Sequence, residues 1–318
     1  MPVPRPSMFP PALLRSARLL GALLLLLALP LRAAPPGRPL PSRPDVSYGP
    51  RPLQVLDVYL PPKPNGPSPV LIWYGGIWKP AKNVPDCNPF FKAGCAVIGV
   101  QTRTMGEATQ DGVFPPISYV MDDACRAVQF VRSKAAEWGL DPERIAVGGG
   151  SQGSLPALYV GCAADRANPD ATDPVERQST KVVAIAAFRS QPTIDPKRMQ
   201  EWVPGVVWGA PALGCKFEES LARRDELLPV IKEWSPDYLL HSGVPPIYFE
   251  NEWGLTQPED KSVTETNYKV HAPMWGLGFQ KLAQEKGVKC YVKYLGHATE
   301  EYVNTWDFLV KQLTAKGA

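Results

Sequence analysis

The pattern of apolar and polar positions over residues 45–318 predicts strands that alternate with helices. Short apolar runs bounded by turn residues are typical of strands buried on both faces of a parallel sheet. Such runs lie at 53–60, 70–74, 95–100, 145–147, 182–188, 246–249 and 290–295. Apolar residues at helical spacing predict helices at 119–138, 155–163, 274–285 and 300–313, and residues 140–144 predict a turn. This alternation indicates an α/β fold with a mostly parallel central sheet flanked by helices.

One long interval, at about 189–243, interrupts the alternation without a clear strand. Intervals of this length in a compact domain usually carry function or helices of their own. We interpret this one as a cap insertion over the site. Its Trp202 and Trp208, with Trp78 and Trp253 from elsewhere in the chain, are candidate contacts for an apolar or aromatic acyl group or a sugar ring.

Residues 1–33 have the pattern of a secretory signal peptide: basic residues, the apolar run Leu19–Leu29, then small residues. The run is shorter than the roughly 20 residues that span a bilayer. We therefore predict a secreted or periplasmic protein without stable membrane insertion after the leader is removed; the alternative is an uncleaved N-terminal anchor. Residues 34–44 are rich in proline and predict an extended spacer.

The composition excludes some classes of function. A net charge of +3 in 318 residues predicts neither nucleic-acid binding nor attraction to a membrane surface. The six cysteines form no C-x-x-C or Cys/His cluster, so no metal or other cofactor is predicted. Cys87 and Cys95 could close a short disulfide loop, with buried free thiols as the alternative.

One motif predicts a catalytic nucleophile. Gly149-Gly150-Ser151-Gln152-Gly153 fits G-x-S-x-G, and a predicted strand leads into it while a predicted helix leaves it. This is the setting of a nucleophile elbow, in which a tight turn places the serine at the carboxyl end of the sheet. The backbone N–H of Gln152 can then face a developing oxyanion. Further donors are expected from the glycine-rich loop after strand 70–74, at Gly75, Gly76 and Ile77.

A serine nucleophile needs a base, and the chain has three histidines. His297 follows the last predicted strand, at the same sheet edge as Ser151, and is predicted to be the base. His241 precedes a strand, at the opposite edge. His271 precedes a predicted helix and is assigned to substrate contact or to structure.

The orienting acid is expected after strand 246–249. A carboxylate just beyond a strand end can be held rigidly, so Glu252 is preferred, with Glu250 and Asp260 as alternatives. Glu259 and Glu265 follow in the same segment.

Residues 46–316 resemble the α/β-hydrolase esterases and lipases, near the hormone-sensitive-lipase-like and feruloyl-esterase-like carboxylesterases. The resemblance rests on residues 57–61, 70–78, 141–153 and Gly296-His297. Two positions depart from the pattern of that group. Tyr74 stands where the oxyanion segment usually opens with histidine, and residues 249–255 lack the usual aspartate motif.

Together these features predict a serine carboxylesterase that acts on a small ester or an acylated saccharide through a Ser-His-acid acyl-enzyme mechanism. Two alternatives remain open: a non-catalytic binding protein on the same fold, and a serine peptidase of the same fold.

Overall fold

The computed structural model describes residues 39–315. Their centre is one eight-stranded sheet with the strand order β1-β2-β4-β3-β5-β6-β7-β8. The strands are β1 (Arg43–Ser47), β2 (Val55–Tyr59), β3 (Ser68–Tyr74), β4 (Ala96–Gln101), β5 (Leu140–Gly150), β6 (Ile185–Phe188), β7 (Ile247–Glu250) and β8 (Cys290–Lys293). β1 and β2 pair antiparallel, β2 pairs antiparallel with β4, and the other pairs are parallel.

Helices cover both faces of this sheet. They are α1 (Asn88–Lys92), α2 (Met105–Gln110), α3 (Ile117–Ser133), α4 (Ala135–Trp138), α5 (Ser154–Cys162), α6 (Pro196–Trp202), α7 (Phe217–Ala222), α8 (Arg224–Trp234), α9 (Glu265–Val270), α10 (Met274–Glu285) and α11 (Thr305–Thr314). One buried cluster includes residues of α3, α5 and α10, and a second includes α11 and the helix α1. The expected mostly parallel α/β sheet with flanking helices is confirmed.

The register of the strands aligns their carboxyl ends. Tyr74 pairs with Gly149, Gly150 pairs with Phe188, and Phe188 pairs with Glu250. All seven residues of β3 are buried, as expected for a strand that other strands flank and helices cover. The segments that follow β3, β5, β6 and β7 therefore leave the sheet at one edge, where the candidate site lies.

Two local predictions differ from the structure. Residues 140–144, expected to form a turn, begin β5 at Leu140, where Ser68 of β3 pairs with it across a register shift. The strand β1 starts at Arg43, inside the segment expected to be a spacer, because Arg43 pairs with Val58 of β2. Its pattern of exposed polar residues gave no strand signal. The predicted leader and residues 34–38 of the spacer lie outside the described residues.

The interval 189–243 contains α6, α7, α8 and two 3₁₀ turns rather than strands. The ring of Trp202 at the end of α6 packs edge-on against Trp275 of α10, with centroids 6.5 Å apart. A Cβ added to Gly278 would lie 2.4 Å from the Trp202 ring, so α10 is tightly packed there. Part of the expected cap is thus anchored on α10 by aromatic packing.

Cys95 is a free thiol, so the disulfide loop considered for Cys87 and Cys95 is not formed. Over residues 39–315 no helix is long and apolar enough to cross a membrane. In the same residues, His, Cys, Asp and Glu side chains form no group of three or more suited to holding a metal ion.

Candidate active site

Ser151 occupies a strained turn between β5 and α5. Its φ angle is +49°, in the left-handed region that residues other than glycine rarely adopt. Glycine is required two residues before it, at Gly149, and two residues after it, at Gly153. A Cβ on Gly149 would lie 2.1 Å from the carbonyl oxygen of Gly153, and a Cβ on Gly153 would lie 2.1 Å from that of Tyr74. The two flanking glycines of G-x-S-x-G therefore permit the close backbone approach that a nucleophile elbow needs.

The side chain of Ser151 meets His271. Ser151 Oγ lies 2.8 Å from His271 Nε2, while His271 Nδ1 lies 3.0 Å from the carbonyl oxygen of Asn267. A carbonyl oxygen can only accept, so Nδ1 carries the proton of the neutral ring. Nε2 then presents its lone pair to the Ser151 hydroxyl, which is the arrangement of a nucleophile with its general base.

The main chain around His271 is fixed by two buried amide side chains. Gln191 Nε2 donates to the carbonyl of Val270 at 2.7 Å, and Asn251 Nδ2 donates to the carbonyl of His271. Gln191 is fully buried and Asn251 is 7 % exposed. Because both donors come from the ends of β6 and β7, the sheet edge itself holds the segment between α9 and α10 against Ser151.

The three carboxylates predicted as orienting acids make other contacts. Glu252 pairs with Arg189. Glu250 accepts from Thr305 N and Oγ1, each at 2.6 Å, and pairs with Lys293 at 2.9 Å. Asp260 accepts from Ser262 N within its own turn at 2.9 Å. In the described part of the chain, the partner of His271 Nδ1 is thus a backbone carbonyl of α9, that of Asn267.

His297, the predicted base, is not brought to Ser151. Its exposed side chain stacks on Tyr294 with ring centroids 4.9 Å apart. Its backbone closes a tight bridge with Tyr294, with N–H to carbonyl distances of 2.8 and 3.0 Å. His297 follows β8, as expected, but its side chain is exposed at the surface. His241 lies in an exposed turn, where its Nδ1 accepts from Gly243 N.

The glycine loop after β3 does reach the elbow. Gly75 N donates to Val100 O at 3.0 Å, whereas Ile77 N and Trp78 N donate to Oε1 of Gln152 at 3.1 and 3.2 Å. Of the predicted oxyanion donors, Gly75 and Ile77 therefore have other acceptors. The N–H groups of Gly76 and Gln152 are the candidates that these contacts leave for an oxyanion.

All four tryptophans predicted to contact substrate pack against the hydrophobic clusters. Two of them also lie near the elbow: the Trp253 ring is 6.1 Å from that of His271, and Trp78 belongs to the glycine loop. Large aromatic side chains in a cap more often serve packing than binding, and no sequence signal separates the two roles.

Arg189, which the sequence did not single out, adds a charge to the site. It follows β6, has a φ angle of +47°, and its guanidinium lies 4.7 Å from the centroid of the Trp253 ring. The pKa of His271 is held below its usual 6.5, mainly because burial disfavours the charged ring and also because Arg189 repels it; the hydrogen bond to Asn267 opposes the shift. His271 is therefore neutral near pH 7 and able to accept a proton.

Residues 56–202, from β2 to α6, match the family model BD-FAE. The chain is also similar to a truncated carbohydrate esterase from gut microbiota, with a TM-score of 0.59 and 22% identity, over 86% of this chain and 96% of the other. This chain is an α/β-hydrolase by fold.

Two further proteins are similar to this chain. A thermophilic esterase of Thermogutta terrifontis has a TM-score of 0.53 and 22% identity, covering 81% of each chain. A probable isoprenylcysteine alpha-carbonyl methylesterase of Arabidopsis thaliana is 35% identical over 118 residues. That match spans 35% of this chain and 23% of the relative's length. The resemblance to α/β-hydrolase esterases expected from the elbow is confirmed.

Proposed function

We propose that this α/β-hydrolase is a serine esterase that cleaves carboxylic esters with Ser151 as nucleophile and His271 as general base. The observation that carries the proposal is the 2.8 Å contact between Ser151 Oγ and His271 Nε2 at a strained elbow. The names of similar proteins, a carbohydrate esterase and a methylesterase, support an ester as the substrate.

In the proposed reaction, Nε2 of His271 takes the Ser151 proton as Oγ forms a bond to the ester carbonyl carbon. The N–H groups of Gly76 and Gln152 stabilise the oxyanion. His271 then protonates the leaving alcohol oxygen as its bond to carbon breaks, and a water molecule repeats the sequence to release the acid. The imidazolium formed in between is stabilised by the Asn267 carbonyl and by the partial negative charge at the end of α9.

An acylated saccharide or a small ester is the proposed substrate. Trp253 and Trp78 at the site offer flat apolar surfaces that suit a sugar ring or an aromatic acyl group. Export by the N-terminal leader belongs to the same proposal, because an exported esterase would meet acylated polysaccharides. N-terminal sequencing of protein recovered outside the cytoplasm should then begin near residue 34, and an intact Met1 there would contradict cleavage.

The two histidines provide a matched test. We expect His271→Ala to lower kcat on p-nitrophenyl acetate by several orders of magnitude, up to the roughly 10⁶-fold that loss of the base costs a serine hydrolase with a full triad. His297→Ala, which removes an exposed ring, should keep kcat within twofold. If His297→Ala lost activity and His271→Ala kept it, the base would be His297 after β8, as the sequence predicts.

A fluorophosphonate probe tests the nucleophile and separates the alternatives. Labelling of the wild type but not of Ser151→Ala supports the esterase. Folded wild-type protein that fails both to label and to cleave esters would instead indicate a binding protein. Cleavage of p-nitroanilides at a rate similar to that of esters would favour the peptidase.

A further inference from the structure

The side chain of Gln152 connects the two halves of the site. Its Oε1 accepts hydrogen bonds from the consecutive N–H groups of Ile77 and Trp78, at 3.1 and 3.2 Å. The residue is next to Ser151 in sequence, whereas the two donors belong to the loop that follows β3. These two bonds therefore tie the elbow directly to the glycine loop.

The other hydrogen bonds of the loop point away from the elbow. Gly75 N donates to Val100 O in β4 at 3.0 Å, and Ile77 O accepts from Met105 N of α2 at 3.2 Å. These contacts fix the loop to the sheet and to α2. The hydrogen bonds that reach the elbow are those to Gln152 Oε1, which add to the close packing of Gly153 against the carbonyls of Tyr74 and Gly75.

Gly76 lies in the narrow space that this amide closes. A Cβ on Gly76 would lie 3.3 Å from Gln152 Oε1 and 2.6 Å from the carbonyl oxygen of Lys79. Gln152 Oε1 and the Lys79 carbonyl oxygen therefore both lie close to the same side of Gly76, and through its bond from Ile77 N the amide restrains the loop next to the Gly76 N–H. An oxyanion donor stabilises charge only when its direction is fixed before the reaction.

We infer that the Gln152 side chain is a positioning residue, which holds the Gly76 N–H in place as an oxyanion donor while the Gln152 main chain supplies the second donor. This inference rests on the proposed esterase function and deepens it. The residue after the nucleophile then acts twice, once through its own N–H and once through the loop that its amide braces.

Gln152→Met tests the inference because it keeps the length of the side chain but removes the acceptor. We expect kcat on p-nitrophenyl acetate to fall about tenfold with KM within twofold, less than the 10²–10³-fold that loss of a whole donor costs. The inhibition constant of a trifluoromethyl ketone, which forms the tetrahedral oxyanion on Ser151, should rise by the same factor. Amide hydrogen exchange at Ile77 and Trp78 should accelerate.

Gln312→Met is the matched control. Gln312 lies on α11, where its amide donates to Tyr302 Oη at 2.9 Å, away from the residues of the site. The same chemical change there should leave kcat, the inhibition constant and exchange at Ile77 and Trp78 unchanged.

Several outcomes would overturn the inference. If kcat and the inhibition constant of Gln152→Met equal those of the wild type, the hydrogen bonds from Ile77 and Trp78 to Gln152 have no effect on catalysis. A rise in kcat/KM would show that the amide obstructs the site rather than supporting it. A lower kcat with an unchanged inhibition constant would indicate only a loss of folded enzyme, because that constant does not depend on how much enzyme is active.

Failure of the proposed function would look different. If the wild type neither cleaves esters nor labels with a fluorophosphonate, the esterase itself is wrong. Amide exchange in Gln152→Met then tests by itself whether the Gln152 side chain holds the loop. Faster exchange at Ile77 and Trp78 supports this role, and unchanged exchange refutes it.

Discussion

At the scale of single residues, the unusual feature is the neutral partner of His271. In a serine hydrolase with a full triad, a buried carboxylate orients the histidine and stabilises its charged form. Here the Asn267 carbonyl orients the ring at 3.0 Å with only a partial charge. Charge stabilisation is weaker with a dipole than with an ion, so we expect a lower kcat than such a triad gives, with an unchanged tautomer.

The pH profile should report His271. Its pKa lies below 6.5, and only the neutral ring can accept the Ser151 proton. Activity should therefore fall as the pH drops through that pKa and be constant above it, until another group titrates. Arg189→Met removes a repelling positive charge and leaves Glu252 unpaired, both of which favour the imidazolium, so the acid limb of kcat/KM should move to higher pH.

Arg189→Lys retains the charge and is the control for this measurement. Its acid limb should stay near that of the wild type. A limb that does not move in Arg189→Met would mean that a group other than His271 controls the profile.

Asn251 offers a second test at this scale, because it follows β7 where a carboxylate was expected. Its Nδ2 faces the main-chain carbonyl of His271, not the ring. Asn251→Asp would set a carboxylate against that carbonyl oxygen, so we expect kcat to fall about tenfold or more rather than rise. Asp260→Asn, a change in an exposed turn, is the control, and a gain of activity in Asn251→Asp would mean that the carboxylate reaches the ring.

At the scale of elements, the β5–elbow–α5 unit was predictable from the sequence, and the histidine that contacts Ser151 was not. The apolar run, the glycines and the following helix all lie within about 20 residues, so local pattern suffices there. His271 lies between two helices of the long β7–β8 connection, and its place depends on contacts of Gln191 and Asn251 that are distant in sequence. Short amphipathic or polar elements such as β1, α1 and α2 also carried too little periodicity to predict.

Gly153 makes the elbow testable as an element. Gly153→Ala would force a Cβ to within 2.1 Å of the Tyr74 carbonyl oxygen, so β3 and the elbow must separate. We expect the free energy of unfolding to fall by about 2 kcal/mol or more and activity to be lost, as overpacking does elsewhere. Thermal denaturation and esterase assays measure both.

Gly150→Ala is the neighbouring control. A Cβ there meets nothing closer than 3.9 Å, and the φ angle of Gly150 is −109°, which any residue adopts. Its melting temperature should stay close to that of the wild type. Equal losses in the two variants would show that the elbow tolerates no side chain at either position, and that the contact distances do not decide which glycine is required.

At the scale of the whole molecule, the parallel sheet organises the site. Its aligned strand ends bring together the glycine loop, the elbow, Arg189 and Asn251 from four separate parts of the chain. The fold class followed from the alternation of strands and helices, because that pattern is repeated along the chain. Which side chains meet at the sheet edge could not be predicted from the sequence, because side-chain direction in loops depends on packing that no local pattern encodes.

The cysteines test the packing of the molecule as a whole. Cys215 is partly exposed, whereas Cys95 and Cys125 are buried and their pKa values are raised by burial to about 11 and about 12. Ellman's reagent at pH 8 should therefore modify Cys215 first in the native protein, and Cys215→Ser should remove that phase. Rapid reaction at a buried thiol would mean that the core opens more readily than the structure implies.

The hydrogen bond from His271 to the carbonyl of Asn267 has a consequence for how such a site can vary. Every amino acid, proline included, supplies the same main-chain oxygen, so no substitution at position 267 can delete that group outright. What specifies it is the helical turn of α9, which places the carbonyl of the fourth residue before His271 against the imidazole ring. Substitutions that keep this turn helical leave the group in place. A functional group that the main chain supplies is not detected by a search that compares side chains position by position.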